Sequence, residues 1–420
     1  MNFRKSTLRL AAASVLVATA GLGASALYAQ AAAPAAAPAD AAPVKSPIKA
    51  VADPTKLQPV PQNYHPKKTA WGDPDFTGTW PIDSIASIPM QRPARYGNRF
   101  YLNQQELDAR EKDRQGSLKR YEEEAKQGKI GMGHWVESDA SGAQTALLIE
   151  PANGQLPPMT PWAQEMYKNG RSSWNNHPFD WTSDFDTWDR CVTRGFPASM
   201  LPFRYNNGVR VKQGPGYVVI DLEMIHDSRV IPVAANKAQF AQLLKTRWPA
   251  NVRTWMGQSL GYWENDHTLV IETTNIKTGD SVTGDHLDRG PSPLNMATMG
   301  VPPNNTIPTS DQAKVVERLT MTGPNSIVYE MTYSDPKVFT APFTARLPWT
   351  RNEDYGFYEY ACFEGDVQVR NYINSSRAQR GLKTSEIGDP NRVGEEPVAD
   401  TKPAAPAKPV AATTPASQTV

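Results

Sequence analysis

Four glutamates sit in the middle of stretches with alternating character: Glu223 in Tyr217–Ile225, Glu272 in Thr268–Ile276, Glu330 in Ser326–Tyr333 and Glu359 in Tyr355–Phe363. Side chains along a strand alternate between two faces, so each acid shares a face with residues two positions away. Val218, Ile220, Leu222 and Met224 make one apolar row, opposite Tyr217, Asp221 and Glu223. Glu272 stands with Val270 and Thr274, and Glu330 with Val328 and Thr332, while Glu359 points away from Tyr358 and Tyr360. If these faces line one lumen, the acids converge on a polar pocket able to orient a ligand or hold a cation. On outward faces the same acids are solubility residues, paired across strands with Arg229, Arg318, Arg346 or Arg351. His226 lies between Glu223 and Arg229. An imidazole steered by a carboxylate is a general base near neutral pH; a histidine at a hairpin tip in water is not. The catalytic candidates are therefore His226, Glu223 and Glu272. The ligand-contacting candidates are Glu330, Glu359, Arg229 and Tyr217.

Other chemistries find less in the chain. The six histidines show no H-x-H or H-E-x-x-H spacing, so no zinc or other metal site is expected. Asp180, Asp184, Asp186 and Asp189 crowd one segment, but no D-x-D-x-D-G calcium loop is present, and aspartates in loops commonly make Asx turns. There is no G-x-S-x-G elbow and no G-x-x-x-x-G-K-[ST] loop, and no cofactor is expected. With 44 basic and 43 acidic residues of mixed sign along the chain, there is no electrostatic footprint for nucleic acid.

The elements that must position these residues change character along the chain. Arg4, Lys5 and Arg9 precede an uncharged run from Leu10 to about Leu27, followed by Ala29-Gln30-Ala31. That is the layout of a secretory signal over residues 1–31. Its Ala, Gly and Ser content is low in hydropathy for a retained anchor, and no membrane span is expected in the mature form. Cleavage removes three basic residues and no acidic ones, shifting the formal balance from +1 to −2. Residues 32–70 and 377–420 are rich in Ala, Pro and Lys and poor in large apolar side chains, so they read as disordered tethers. Between them, residues 71–376 form one β-rich domain.

Residues 71–203 hold few alternating stretches. One surface helix is predicted from the Asn103/Glu106 capping box to Gly128. The rest reads as long loops packed by Trp135, Trp162, Trp174, Trp181 and Trp188. From Gly208 onward the period becomes two. Strands are predicted at Val209–Gln213, Tyr217–Ile225, Ser228–Val233, Leu260–Glu264, Thr268–Ile276, Lys314–Met321, Ser326–Tyr333, Phe339–Trp349 and Tyr355–Phe363. Tight turns between them make an antiparallel meander, which must close or stack to hide its edges. Phe76-Thr77-Gly78-Thr79-Trp80 is similar to the first strand of lipocalin-like barrels, in which the Trp plugs one end. The expected fold is a mainly β, antiparallel lipocalin-like barrel with a long, aromatic-rich, partly helical insertion. The alternative is a two-sheet β-sandwich. Cys191 and Cys362 are the only cysteines, and outside the cytoplasm one bridge between them is the expectation.

A wider resemblance rests on Asp189–Gly195 (DRCVTRG), Glu223–Pro232 (EMIHDSRVIP), Trp255–Ser259 (WMGQS), Trp263–Asn275 and Tyr358–Cys362 (YEYAC). Together these motifs resemble a large family of exported bacterial proteins found in sphingomonads and acidobacteria. The likeness runs from about Asp73 to Asn374. Asn265 and His267 depart from it, at a turn where acidic-Gly-Asp-Thr is usual. The resemblance implies export and domain limits more than chemistry.

Three functions remain open. The first is a periplasmic or secreted barrel that binds a small hydrophobic or aromatic molecule, with the tryptophan-rich loops at its mouth. The second is a hydrolase, lyase or isomerase that uses the carboxylates and His226 for proton transfer. The third is an envelope structural protein tethered by its tails. Fold alone does not choose among them.

Overall fold

The computed structural model of the chain describes residues 46, 48–131, 134, 136, 142–173, 178–279, 290–295, 305–362 and 367–382. Residues 1–45, which include the predicted signal over 1–31, residues 383–420, and Trp135, Trp174 and Phe363 lie outside them.

The chain is mainly β. Ten strands follow one another in a single curled half-barrel sheet: β1 Gly78–Thr79, β2 Leu148–Glu150, β3 Val209–Gly214, β4 Tyr217–Leu222, β5 Ser228–Ala234, β6 Gln258–Trp263, β7 Thr268–Thr274, β8 Lys314–Gly323, β9 Ser326–Ser334 and β10 Phe343–Thr350. Their order across the sheet is β1-β3-β4-β5-β6-β7-β8-β9-β10-β2. This is one barrel-like sheet rather than a sandwich of two. The segment just beyond β10 also reaches β1: the backbone N–H of Asn352 donates to Thr79 O at 3.0 Å. The Arg351 guanidinium lies 4.6 Å above the ring of Trp80, which is fully buried and donates its indole N–H to Phe76 O.

Alternation selects the inner face. Val209 and Val211 on β3, Val218, Ile220 and Leu222 on β4, and Val315, Leu319 and Met321 on β8 point into one core, together with Tyr329, Tyr333 and Trp349. Tyr329 stacks on Trp349 with ring centroids 4.9 Å apart, which fills the center with aromatic area.

One step breaks the predicted meander: β5 and β6 are parallel, pairing Val233 with Gly261 and Ala234 with Tyr262. Parallel neighbours need a crossover. Residues 235–257 supply it and contain a helix, Lys237–Leu243. Phe240 of that helix packs on Leu260, Tyr262 and Val270 from outside, so β6 is buried on both faces.

The surface helix forms as its capping box requires, α1 Gln104–Lys126, with Asn103 and Glu106 bonded reciprocally. Three further helices, α2 Pro161–Asn169, α3 Lys237–Leu243 and α4 Gln368–Gln379, have no counterpart in the sequence reading. Helix α4 carries order past residue 377. Its Ile373 and Arg377 are buried one turn apart, and Arg377 and Arg380 both grip Asp180. Residues 48–70, assigned by composition to the linker, are likewise tied down: Pro54 O accepts from Phe100 and Tyr101, and Gln58 O from Arg346 Nη1 at 2.6 Å. Extended, proline-rich backbone loses little freedom on docking, so it needs few apolar side chains to stay bound. The predicted strand Tyr355–Phe363 is absent over residues 355–362, which form an irregular segment.

Candidate functional site

The residues at one end of the barrel are arranged around Glu223. Strand β4 ends at Leu222, and the chain turns through Met224–His226 with Ile225 and His226 in left-handed backbone, φ 60° and 56°. Glu223 is buried beside this turn. Its carboxylate accepts four hydrogen bonds: from Asn206 Nδ2 at 2.9 Å, Gly208 N at 3.0 Å, Tyr355 Oη at 2.8 Å and Tyr358 N at 3.2 Å. A side chain at position 208 would collide with it, since a Cβ there stands 2.7 Å from Oε2. Next to it, the backbone N–H of Tyr360 donates to His226 Nε2 at 3.0 Å. That lone pair is occupied, so the neutral ring carries its proton on Nδ1. Glu223 and His226 thus both hold the segment 355–360.

The third fastening is covalent. Cys191 and Cys362 form a disulfide with Cα atoms 5.7 Å apart, as the export context implied.

Held at these points, the segment forms one wall of an open cleft of about 680 Å³. Tyr358 and Tyr360 lie on this wall, with Trp188 and Tyr205 also lining the cleft, and polar groups come from Asp189, His134, Glu359 and Gln368. The aromatic floor is itself packed: Trp188 meets Phe203 edge-on at 5.4 Å, and Phe203 meets Tyr205 at 4.9 Å. Burial raises the Tyr205 and Tyr360 hydroxyls above the usual phenol range, reinforced by Asp189, so both stay protonated as donors. Arg194 is fully buried, with its pKa pushed down to about 10 by desolvation, and acts electrostatically on Tyr360, Asp227 and Tyr205. A smaller pocket of about 50 Å³ shares Asp189 and Gln368 with the cleft.

The four glutamates do not share an interior. Glu272 faces outward, 2.7 Å from Lys314 Nζ and 3.8 Å from Arg247. Glu330 also lies on the outer face, bonded to Arg346 at 2.8 Å. Glu359 is exposed on the irregular segment at the cleft, and Tyr217 is exposed at the start of β4. Arg318 pairs with Glu264 instead of Glu330. Of the proposed set, only Glu223, His226 and Glu359 come near one another, and only Glu359 lines the cleft. The crowded aspartates have partners of their own: Asp184 receives Arg171 and the N–H groups of Asp180 and Trp181, and Asp186 receives Asn305.

Arg229 does point inward, but its partner is a residue missed at the sequence level. Glu317 is fully buried and takes Arg229 Nη1 at 2.8 Å and Tyr329 Oη at 2.9 Å. Ser259 Oγ accepts from Arg229 Nη2 at 3.0 Å, and the guanidinium lies 4.3 Å over the Phe196 ring. The signal was present in the sequence, since Glu317 interrupts the row Val315, Leu319, Met321 on β8.

Comparison of the sequence with protein-family models and with curated proteins finds no match. Among the described residues, no helix is long and apolar enough to cross a membrane.

Proposed function

We propose that this is an exported, periplasmic binding protein whose ligand is a small, flat aromatic or hydrophobic molecule carrying a polar group. The observation that carries this reading is the cleft lined by Trp188, Tyr205, Tyr358 and Tyr360. Its volume of about 680 Å³ falls within the roughly 300–1,000 Å³ of small-molecule sites. Aromatic walls with a few polar groups at fixed places suit stacking plus one or two orienting hydrogen bonds. Export is supported by the basic, then apolar, then small-residue start of the chain and by the disulfide. Proton transfer gains no support from Glu223, His226 and Glu272, because the first two hold the segment 355–360 and the third is paired on the outer face.

Native mass spectrometry of protein purified from the periplasm should reveal a co-purifying small molecule that Tyr358→Ala loses. Tyr358 is 72% exposed, so its truncation leaves the fold intact. An aromatic stacking contact is worth about 1 kcal/mol, or roughly fivefold in affinity. If wild type and Tyr358→Ala bind a panel of aromatic ligands equally, the cleft is not the site.

A further inference from the structure

A second site lies away from the cleft and does not depend on it. The turn between β6 and β7 carries Asp266 and His267, and the N-terminal segment brings Gln62 and His65 across it. One carboxylate spans two imidazoles there: Asp266 Oδ2 is 2.6 Å from His65 Nδ1, and Oδ1 is 2.8 Å from His267 Nδ1. The rings meet edge to face with centroids 5.8 Å apart. One ligand atom from each of the three residues falls within 4.8 Å of the other two.

Hydrogen-bond accounting at His267 gives the second, independent observation. The side chain is 7% exposed, and its backbone is fixed: the N–H bonds Asn265 Oδ1, and the carbonyl accepts from Met321. Nε2 faces Gln62 Oε1 at 3.0 Å. The Gln62 amide is oriented by its Nε2 donating to Val60 O, so it is the oxygen that meets the ring. A neutral imidazole has one N–H. With that proton on Nε2 toward Gln62, the Nδ1 lone pair points at a carboxylate oxygen, and the two repel unless a second proton or a metal ion lies between them.

We propose that His65, Asp266 and His267 bind one divalent ion of the zinc class, with solvent completing its coordination. The donor set selects the class: two imidazole nitrogens and a carboxylate suit Zn²⁺ and its neighbours, whereas Ca²⁺ and Mg²⁺ require oxygen shells. Gln62 takes the place of the outer-shell acceptor that a ligating histidine usually has for its second N–H, fixing the tautomer that leaves Nδ1 free to bind. Zinc bonds of about 2.1 Å in tetrahedral array separate donor atoms by about 3.4 Å. The Asp266–histidine contacts of 2.6 and 2.8 Å must therefore open by under about 1 Å while the widest separation, up to 4.8 Å, closes by about 1.4 Å, and His65, whose side chain is 67% exposed, has room to move. Bound metal would fasten the N-terminal segment to the barrel at this turn.

The probe is Co²⁺, whose visible absorption reports tetrahedral coordination, added to the tag-free full chain and then displaced by Zn²⁺. One Co²⁺ per chain with tetrahedral bands is expected in the wild type. No such bands are expected in His65→Ala or Asp266→Asn, two exposed positions where circular dichroism should confirm the fold. Gln62→Ala should weaken binding roughly 10–100-fold while keeping the spectrum. Zn²⁺ should also slow tryptic cleavage after Lys67 and Lys68 in the wild type and not in His65→Ala. An octahedral spectrum alone, a stoichiometry well below one, or binding that survives in both His65→Ala and Asp266→Asn overturns the proposal.

Discussion

Arg229 and Glu317 meet fork to fork inside the half-barrel, Nη1 to Oε1 at 2.8 Å and Nη2 to Oε2 at 2.5 Å, with side chains 2% and 0% exposed. They come from β5 and β8, 88 residues apart in sequence, and Tyr329, Ser259 and Thr273 complete the network around them. A buried pair of this kind gains little over apolar packing, because desolvation offsets its Coulomb energy, but either half alone is costly. The pair therefore favours strand registers that bring both residues inside together.

Glu317→Ala should destabilise the protein by about 3–5 kcal/mol, because it strands a buried guanidinium. The double change Arg229→Met with Glu317→Leu should return stability to near the wild-type level, since no unpaired charge remains. Chemical denaturation measures both. A Glu317→Ala cost below about 1 kcal/mol would show that the pair is not closed in solution.

The outward glutamates should behave differently. Glu272→Gln and Glu330→Gln each weaken an ion pair on the outer face, where such pairs contribute about 1 kcal/mol or less. Glu223→Ala removes the acceptor of four hydrogen bonds, two of them from backbone N–H groups, and should cost about 1–3 kcal/mol. The same denaturation series ranks them, and equal costs at Glu223 and Glu330 would contradict their different surroundings.

That ranking marks what the sequence could convey. Alternation identifies which residues share a face but not which face is inside. On β7 the row Val270, Glu272, Thr274 carries apolar character because α3 covers it from outside with Phe240, so it imitates a lumen. On β8 the same rule points to Glu317, whose neighbours Val315 and Leu319 are fully buried. The strands from Val209 to Trp349, the Asn103 helix cap and the disulfide were legible because each is a local pattern or the only pairing available. The cleft was not, because Trp188, Tyr205 and Tyr360 meet through loops far apart in sequence. Nor was the meeting of His65 with Asp266, 201 residues away, which no spacing rule encodes.

The disulfide closes a long loop, from Cys191 to Cys362, so its loss frees much chain entropy in the unfolded state. Replacing both cysteines with serine should cost up to about 5 kcal/mol by that model. It should also loosen the 355–360 segment and weaken cleft binding. Unfolded, unreduced protein should label with no thiol reagent, and two labelled cysteines would rule the bridge out.

Asp227 gives the last test, through pH. It lies just beyond the His226 turn, taking Thr193 Oγ1 at 2.6 Å and Ser199 Oγ at 3.5 Å. Burial raises its pKa above the ordinary 3.8, outweighing those bonds and the nearby Arg194. Between the unfolded and folded values the native state holds a proton that the unfolded chain has lost, so stability falls as pH rises through that window. The contribution is whole below about 3.8 and lost above the folded value. Asp180 and Glu264 act oppositely: arginine partners lower both, and their stabilisation disappears as pH falls through the folded values. Asp227→Asn isolates the first effect, because the amide oxygen still accepts from Thr193 and carries no charge to desolvate. The variant should be more stable than the wild type at neutral pH, and the gain should vanish below about pH 3.8, where the wild-type acid is neutral in both states. A variant that is less stable than the wild type at neutral pH would mean that Asp227 is held as an anion, with Arg194 rather than burial dominating its environment.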